Sequence, residues 1–272
     1  MDILNKIIEH KKKEIAERKS LFPIKLLENS IYFNSPTVSL KHYLQCKDRV
    51  GIIAEIKRKS PSKGNINPYV DVEKTSIGYM QAGASALSVL TDDAFFGGNN
   101  SDLTTARKFN YCPILRKDFI VDEYQIIEAK SIGADAILLL ANVLTKEECK
   151  TFTTLAHQLG LEVLLETHTL NELDYYLPET DVLGINNRDL KTFTVNIERS
   201  LELASHLPNN VVKVSESGIK TANDILLLKE NGFHGFLMGE QFMKHAKPEK
   251  ACHELISQVE HALSLKTVSH EN

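Results

Sequence analysis

The sequence predicts an α/β fold, a (β/α)8 TIM barrel with an N-terminal helical extension, and three observations predict it. From Val50 onward, short apolar runs alternate with helix-period segments, the runs lying near 50–57, 86–91, 113–117, 136–140, 162–166, 182–186, 211–216 and 235–239. Such alternation calls for parallel strands joined by helical crossovers. Gly83, Gly133, Gly160 and Gly232 punctuate the helix ends just ahead of strands, where a left-handed cap feeds a short link. Finally, the glycine-rich nucleotide loop that usually accompanies a doubly wound open sheet is missing: there is neither G-x-G-x-x-G nor a P-loop. Eight strand–helix units in about 215 residues then close into a barrel.

Residues 1–48 form the extension expected to cap the barrel. Ile3, Ile7, Ile8 and Ile15 lie near a 3.6-residue period, and Leu26, Leu27, Leu40, Tyr43 and Leu44 mark further turns. The Lys11-Lys12-Lys13 run reads as a solvated helix face. The segment lacks the continuous apolar core of a signal peptide. Residues 49–265 supply the barrel, with helix starts signalled by the capping-box pattern Thr145-x-x-Glu148 and by the similar Thr221-x-x-Asp224. Residues 266–272 read as a disordered tail.

Composition excludes several classes. The formal net charge of −4 gives no footing for a nucleic-acid binder. No apolar run approaches a membrane span. Cys46, Cys112, Cys149 and Cys252 are scattered without C-x-x-C spacing, as free thiols in a reducing, cytoplasmic compartment are. The ten histidines show no H-x-x-x-H pair, so no metal site is expected.

A barrel places its active site at the carboxyl ends of its strands. The first strand ends with Glu55 and Lys57, which project to one side because side chains two apart share a face. By itself that pair reads equally well as a buried structural ion pair. The third strand ends at Lys117, the fifth at Glu166, the sixth at Asn186 and Arg188, and the seventh at Glu216, Ser217 and Gly218. Convergence of these charges at one mouth would shift their pKa values, as acid–base chemistry requires. The seventh and eighth loops begin at Ser217-Gly218 and Gly239-Glu240, the two loops that commonly hold a phosphate in barrels. Pro61, Phe95, Phe96 and Phe119 either line a slot for an aromatic ring or pack on their own helices.

IAEIKRKSPSKG, LRKDFIVDEYQI, LLETHT, GINNRDLKTF, VSESGI and GFLMGEQFM together closely resemble the indole-3-glycerol phosphate synthase family, over roughly residues 1–260. The absence of Trp agrees with an enzyme made when tryptophan is scarce. The resemblance implies ring closure, decarboxylation and dehydration of 1-(2-carboxyphenylamino)-1-deoxyribulose 5-phosphate to indole-3-glycerol phosphate, a step of tryptophan biosynthesis. No metal or organic cofactor is implied. It assigns Lys117 as general acid toward the substrate carbonyl, Glu166 as general base, and Lys57 to the substrate carboxylate or to dehydration. Glu55, Asn186 and Arg188 orient these groups, while Ser217, Gly218, Gly239 and Glu240 carry the phosphate. Pro61, Phe96, Phe119 and Leu190 line the anthranilate pocket, with Ser60 and Glu216 among the substrate contacts. Neighbouring cations or partial burial are expected to lower the Lys117 pKa, since a lysine near its ordinary value of about 10.4 is a poor acid at neutral pH. Lys59, Ala94 and Gln241 depart from the family pattern. A monofunctional, monomeric enzyme is expected, acting on a small phosphorylated molecule without nucleic acid or membrane. The alternatives are a Schiff-base sugar-phosphate aldolase using Lys117 or Lys57, and a non-catalytic phosphate-binding barrel.

Overall fold

Eight parallel strands close into a barrel in this computed structural model, which describes residues 3–189 and 192–270. The strands are β1 (Ile52–Ile56), β2 (Ala86–Leu90), β3 (Ile114–Lys117), β4 (Ala136–Leu140), β5 (Glu162–Thr167), β6 (Val182–Asn186), β7 (Lys213–Glu216) and β8 (Gly235–Met238). Each pairs with its sequence neighbours, and β8 closes on β1 with Leu237 opposite Ile53. All eight lie where the apolar runs place them. An antiparallel pair, Lys59–Ser60 with Gly64–Asn65, was not legible in the small-residue stretch after β1, which reads only as a loop.

Alternation along each strand builds two cores and then the site. Ile53, Leu115, Leu138, Leu164, Val182 and Val214 point into the barrel, where Leu40 and Leu44 plug its lower end. Their neighbours Ile52, Ile114, Ile137, Val163 and Leu183 face outward against the surrounding helices. Two residues beyond an inward apolar group, the same face reaches the mouth. Ile53 is thus followed by Glu55, Leu115 by Lys117, Leu164 by Glu166 and Val214 by Glu216. The barrel's packing register therefore sets which charges meet.

The helical extension contains α1 (Ile3–Leu21), α2 (Ile24–Glu28) and α3 (Leu40–Gln45). Ile7, Lys11 and Ile15 are its buried stripe on α1. The expectation of a solvated lysine run therefore fails at Lys11, while Lys12 and Lys13 are exposed. Lys11 occupies the middle of the apolar face, and its Nζ lies 2.9 Å from Asp92 and 3.0 Å from Asp118. Burying an ammonium is tolerable only with such partners.

The helices around the barrel are α4 (Val72–Gln81), α5 (Asp93–Phe96), α6 (Asn100–Phe109), α7 (Glu123–Ser131), α8 (Lys146–Gln158), α9 (Glu198–Ala204), α10 (Ala222–Glu230), α11 (Glu240–Met243) and α12 (Pro248–His270). A 3₁₀ turn, Leu170–Tyr175, follows β5. The four punctuating glycines all have positive φ. Thr145–Glu148 and Thr221–Asp224 form the expected reciprocal caps, and Asn99–Asp102 forms a third. The final helix continues to His270, past residue 266, where the sequence reading starts the tail.

Candidate active site

The carboxyl ends of the strands surround a cavity of about 960 Å³, lined by most of the residues singled out from the sequence. At its centre, Lys117 Nζ donates to Glu166 Oε2 and to Glu216 Oε2, both at 2.7 Å. Asn186 Nδ2 donates to Glu166 Oε1 at 2.9 Å, fixing that carboxylate from the next strand. Lys57 Nζ lies 2.6 Å from Glu55 Oε1 on the opposite wall. Glu55 in turn abuts Gly239, where any Cβ would strike its carboxylate.

Burial works to lower the pKa of Lys117, but the coulombic pull of Glu166 and Glu216 outweighs it and drives the value well above the lysine range. The expectation of a lowered value is therefore overturned: carboxylates, not cations, surround this ammonium. Burial opposes the charge on Glu166 as well, yet Lys117 and His168 hold that carboxyl well below its usual range. Glu216 goes the other way. Burial and the neighbouring Glu166 push it up to about 8, because one lysine cannot neutralise two buried carboxylates. Glu216, which the sequence reading places among substrate contacts, lines the cavity, 1% exposed and bonded to Lys117, with its Oε1 lacking a hydrogen-bond partner.

The phosphate loops meet on one side of the cavity. Ser217 and Gly218 both have positive φ, 67° and 81°, so consecutive peptides turn their N–H groups toward a common centre. A non-glycine residue with positive φ is strained, and this one is held by Asn187 Nδ2 donating to the Ser217 carbonyl at 3.0 Å. Gly239 begins α11 opposite, and Lys220, Gln241 and Lys244 complete this side. Gln241 joins the two loops, donating to the Lys220 carbonyl at 3.3 Å and accepting from Lys244 at 2.8 Å. Glu240 lies 3.5 Å from both Lys63 and Arg188, and the Arg188 backbone N–H donates to Asn186 Oδ1 at 3.0 Å.

Phe96 and Phe119 face each other with centroids 5.8 Å apart, and both line the cavity with Ser60 and Pro61. Phe95 turns away to pack edge-on against His10 of α1. Leu190 lies outside the described residues. Lys59 Nζ donates to the Ala94 carbonyl at 3.0 Å, so two of the departures from the family pattern meet each other. Ile3, Leu4 and Ile7 place the first turns of α1 over the mouth.

Sequence reasoning missed two participants. His168 stands two residues after Glu166, its Nε2 3.2 Å from Glu166 Oε1 and its Nδ1 3.4 Å from Glu172 Oε2. The two-residue spacing in LLETHT was the available signal. Lys11 was missed because a charge in a lysine run looks solvated unless the Ile7–Lys11–Ile15 spacing is followed. Among the described residues, no group of three or more His, Cys, Asp or Glu side chains is placed to hold a metal ion.

The family model for indole-3-glycerol phosphate synthase matches residues 4–255. The chain belongs to the indole-3-glycerol phosphate synthase family. An indole-3-glycerol phosphate synthase from Bacteroides thetaiotaomicron is 46% identical over 259 residues, spanning 95% of this chain and 99% of the relative. One from Thermoanaerobacter pseudethanolicus is 44% identical, spanning 89% and 92%. Among solved structures, the tryptophan synthase subunit alpha from Legionella pneumophila superposes with a TM-score of 0.60, 13% identity and coverage of 83% of this chain and 97% of that one. The thiamine phosphate pyrophosphorylase from Pyrococcus furiosus gives 0.59 at 16% identity, covering 83% and 100%. These two show the shared barrel fold. Membership of the family carries the tryptophan-biosynthesis step and a small phosphorylated substrate.

Proposed function

We propose that the mouth of this barrel closes the indole ring of 1-(2-carboxyphenylamino)-1-deoxyribulose 5-phosphate, acting as a carbon–carbon lyase that releases CO2 and water. The Lys117 ammonium clasped between Glu166 and Glu216 is the observation that carries the reading. With the phosphate on the Ser217–Gly218 and Gly239–Glu240 loops and the anthranilate ring between Phe96 and Phe119, the substrate carbonyl falls toward Lys117. The ammonium stabilises the oxyanion that forms as the ring carbon attacks, and supplies its proton. Although Lys117 is held above its ordinary range, the incoming carbonyl oxygen competes with the two carboxylates for its N–H groups. Lys57 and Glu55 face the substrate carboxylate from β1. After CO2 leaves, Glu166 takes the proton from the carbon beside the nitrogen as the hydroxyl departs, with Asn186 holding its orientation.

The site disfavours the Schiff-base aldolase. Imine formation needs a neutral amine, and the Glu166 carboxylate, with Glu216 beside it, keeps Lys117 charged. Borohydride added with substrate should therefore leave activity intact, while indole fluorescence appears from the carboxyphenylamino compound in the presence of chelator. Irreversible loss of activity on borohydride treatment would favour the aldolase. The protein is read as a cytoplasmic monomer; no described helix is long and apolar enough to cross a membrane.

A further inference from the structure

The proton balance of this reaction raises a supply problem. The substrate enters as a carboxylate and gives up that carbon as neutral CO2, while its carbonyl oxygen leaves as water. That oxygen needs two protons, and only one is recovered from the carbon beside the nitrogen. Each turnover therefore draws one proton from solvent. Yet Ile3, Leu4 and Ile7 of α1 and Pro61 line the mouth, and Lys117 and Glu166 lie deep in it, their side chains 12% and 5% exposed.

A second route leads out sideways. His168, 7% exposed, lies between Glu166 on the inside and Glu172 on the 3₁₀ turn. Glu172 also accepts the His168 backbone N–H at 2.7 Å, so the turn and the strand end are pinned together. Beyond it opens a separate cavity of about 610 Å³, between residues 141–147 after β4 and the 3₁₀ turn, and Glu172 is part of its wall. Three titratable side chains thus span from the buried base to a surface cavity. We propose that Glu172, His168 and Glu166 form a proton inlet that recharges the site from this second cavity while substrate occupies the first. This rests on Glu166 being the base in the reaction above.

The transfer balances. After Lys117 gives its proton to the substrate oxygen in ring closure, the imidazolium passes its Nε2 proton through Glu166 to Lys117 and becomes neutral, keeping its Nδ1 proton. Lys117 gives this second proton to the departing hydroxyl, while Glu166, again a carboxylate, takes the proton from the carbon beside the nitrogen and returns it to Lys117. The two ring nitrogens stand 3.2 Å and 3.4 Å from the two carboxylates, so the ring is poised between them rather than locked to one. A half-turn presents the bare nitrogen to Glu172, which passes on a proton taken from water. The charges facing the ring are Glu166 from β5 and Glu172 from the 3₁₀ turn, with Lys117 beyond Glu166. Burial opposes the imidazolium, but the two carboxylates push it up to about 9, so it stays loaded at neutral pH.

The test compares His168→Asn and Glu172→Gln with the unaltered enzyme in dilute buffer at pH 8. His168→Asn should lose about tenfold or more in kcat, with KM within about twofold, and added imidazole buffer should restore several-fold. Glu172→Gln should lose about two- to fivefold in kcat with a larger solvent deuterium isotope effect. Unchanged kcat and isotope effect in both variants would overturn the inlet. So would a loss in His168→Asn that imidazole does not repair, alongside an unaffected Glu172→Gln, since His168 would then only orient Glu166. Glu166→Gln, run in parallel, separates the two levels: if it stays active, the base assignment itself is wrong and the inlet falls with it.

Discussion

Replacing Lys11 with Met tests how the helical extension is fastened. Met keeps the length and the apolar stem but removes the charge that faces Asp92 and Asp118, both almost fully buried. Asp118 keeps Arg116 at 3.2 Å and Thr91 at 2.6 Å, whereas Asp92 is left with backbone N–H groups of Phe95 and Phe96. Breaking a buried pair from one side costs about 3–5 kcal/mol. At about 2 °C per kcal/mol for a domain of this size, the melting temperature should fall by about 6–10 °C. Calorimetry reads the change, with the exposed Lys12→Met as a control that should stay within about 1 °C. The effect should also reach function, because Asp92 caps α5, which carries Phe96, and Asp118 Oδ1 holds the backbone of Phe119 at 2.8 Å. KM should rise several-fold as the ring slot and the α1 cover loosen. Acid sensitivity supplies a third readout. Asp118 is held down to about 2 against an ordinary 3.8, through Lys11 and Arg116 and despite burial, so its stabilising contribution is present above pH 3.8 and is lost as pH falls through about 2. In Lys11→Met that loss should begin at higher pH. A variant that melts within about 2 °C of the parent would show that the network does not fasten the extension.

Further outcomes follow from the site. Glu216 holds a proton at neutral pH, so Glu216→Gln, which mimics the protonated form, should keep kcat within about tenfold at pH 7, while Glu166→Gln loses about a hundredfold or more. Because the folded value lies above the ordinary 4.5, the stability from this group is fully present below pH 4.5 and is lost as pH rises from there through about 8, and Glu216→Gln should remove that fall in a melting-temperature series. A Cβ at Gly184 would run into Glu216 Oε1 and Leu164 Cδ2, so Gly184→Ala should displace Glu216 from Lys117 and lower kcat more than KM in steady-state assays. Inorganic phosphate should compete with substrate through the Ser217–Gly218 and Gly239–Glu240 loops; noncompetitive or absent inhibition would move the phosphate elsewhere.

The barrel was legible because each strand's apolar run is short, bounded by glycine or a charge, and followed by a helix-period segment. The charged strand ends were legible for the same reason: a period of two carries the face of Leu115 on to Lys117 and that of Leu164 on to Glu166. What the period does not carry is which charges pair across strands. The Lys117–Glu216 bond depends on β3 and β7 standing on opposite sides of a closed barrel, and with it the direction in which Lys117 titrates. Lys11 was hidden for a related reason, since its partners, Asp92 and Asp118, lie about 80 and 107 residues away in the chain. His168 needed the 3₁₀ turn after β5, whose six residues carry no strong periodic signal.

The most direct test of the chemistry is the rate at which Lys117→Met forms indole-3-glycerol phosphate, followed by indole fluorescence at saturating substrate. Met retains much of the length and the apolar stem but has neither proton nor charge for the substrate oxygen. Positioned acid catalysis supplies about 10²–10⁴-fold, and loss of oxyanion stabilisation adds to it. The variant should therefore stay folded, bind substrate through phosphate and ring contacts with a nearly unchanged KM, and turn over at least about a hundredfold more slowly. Retention of more than about a tenth of the parent kcat would remove Lys117 from the role of general acid and pass that role to Lys57.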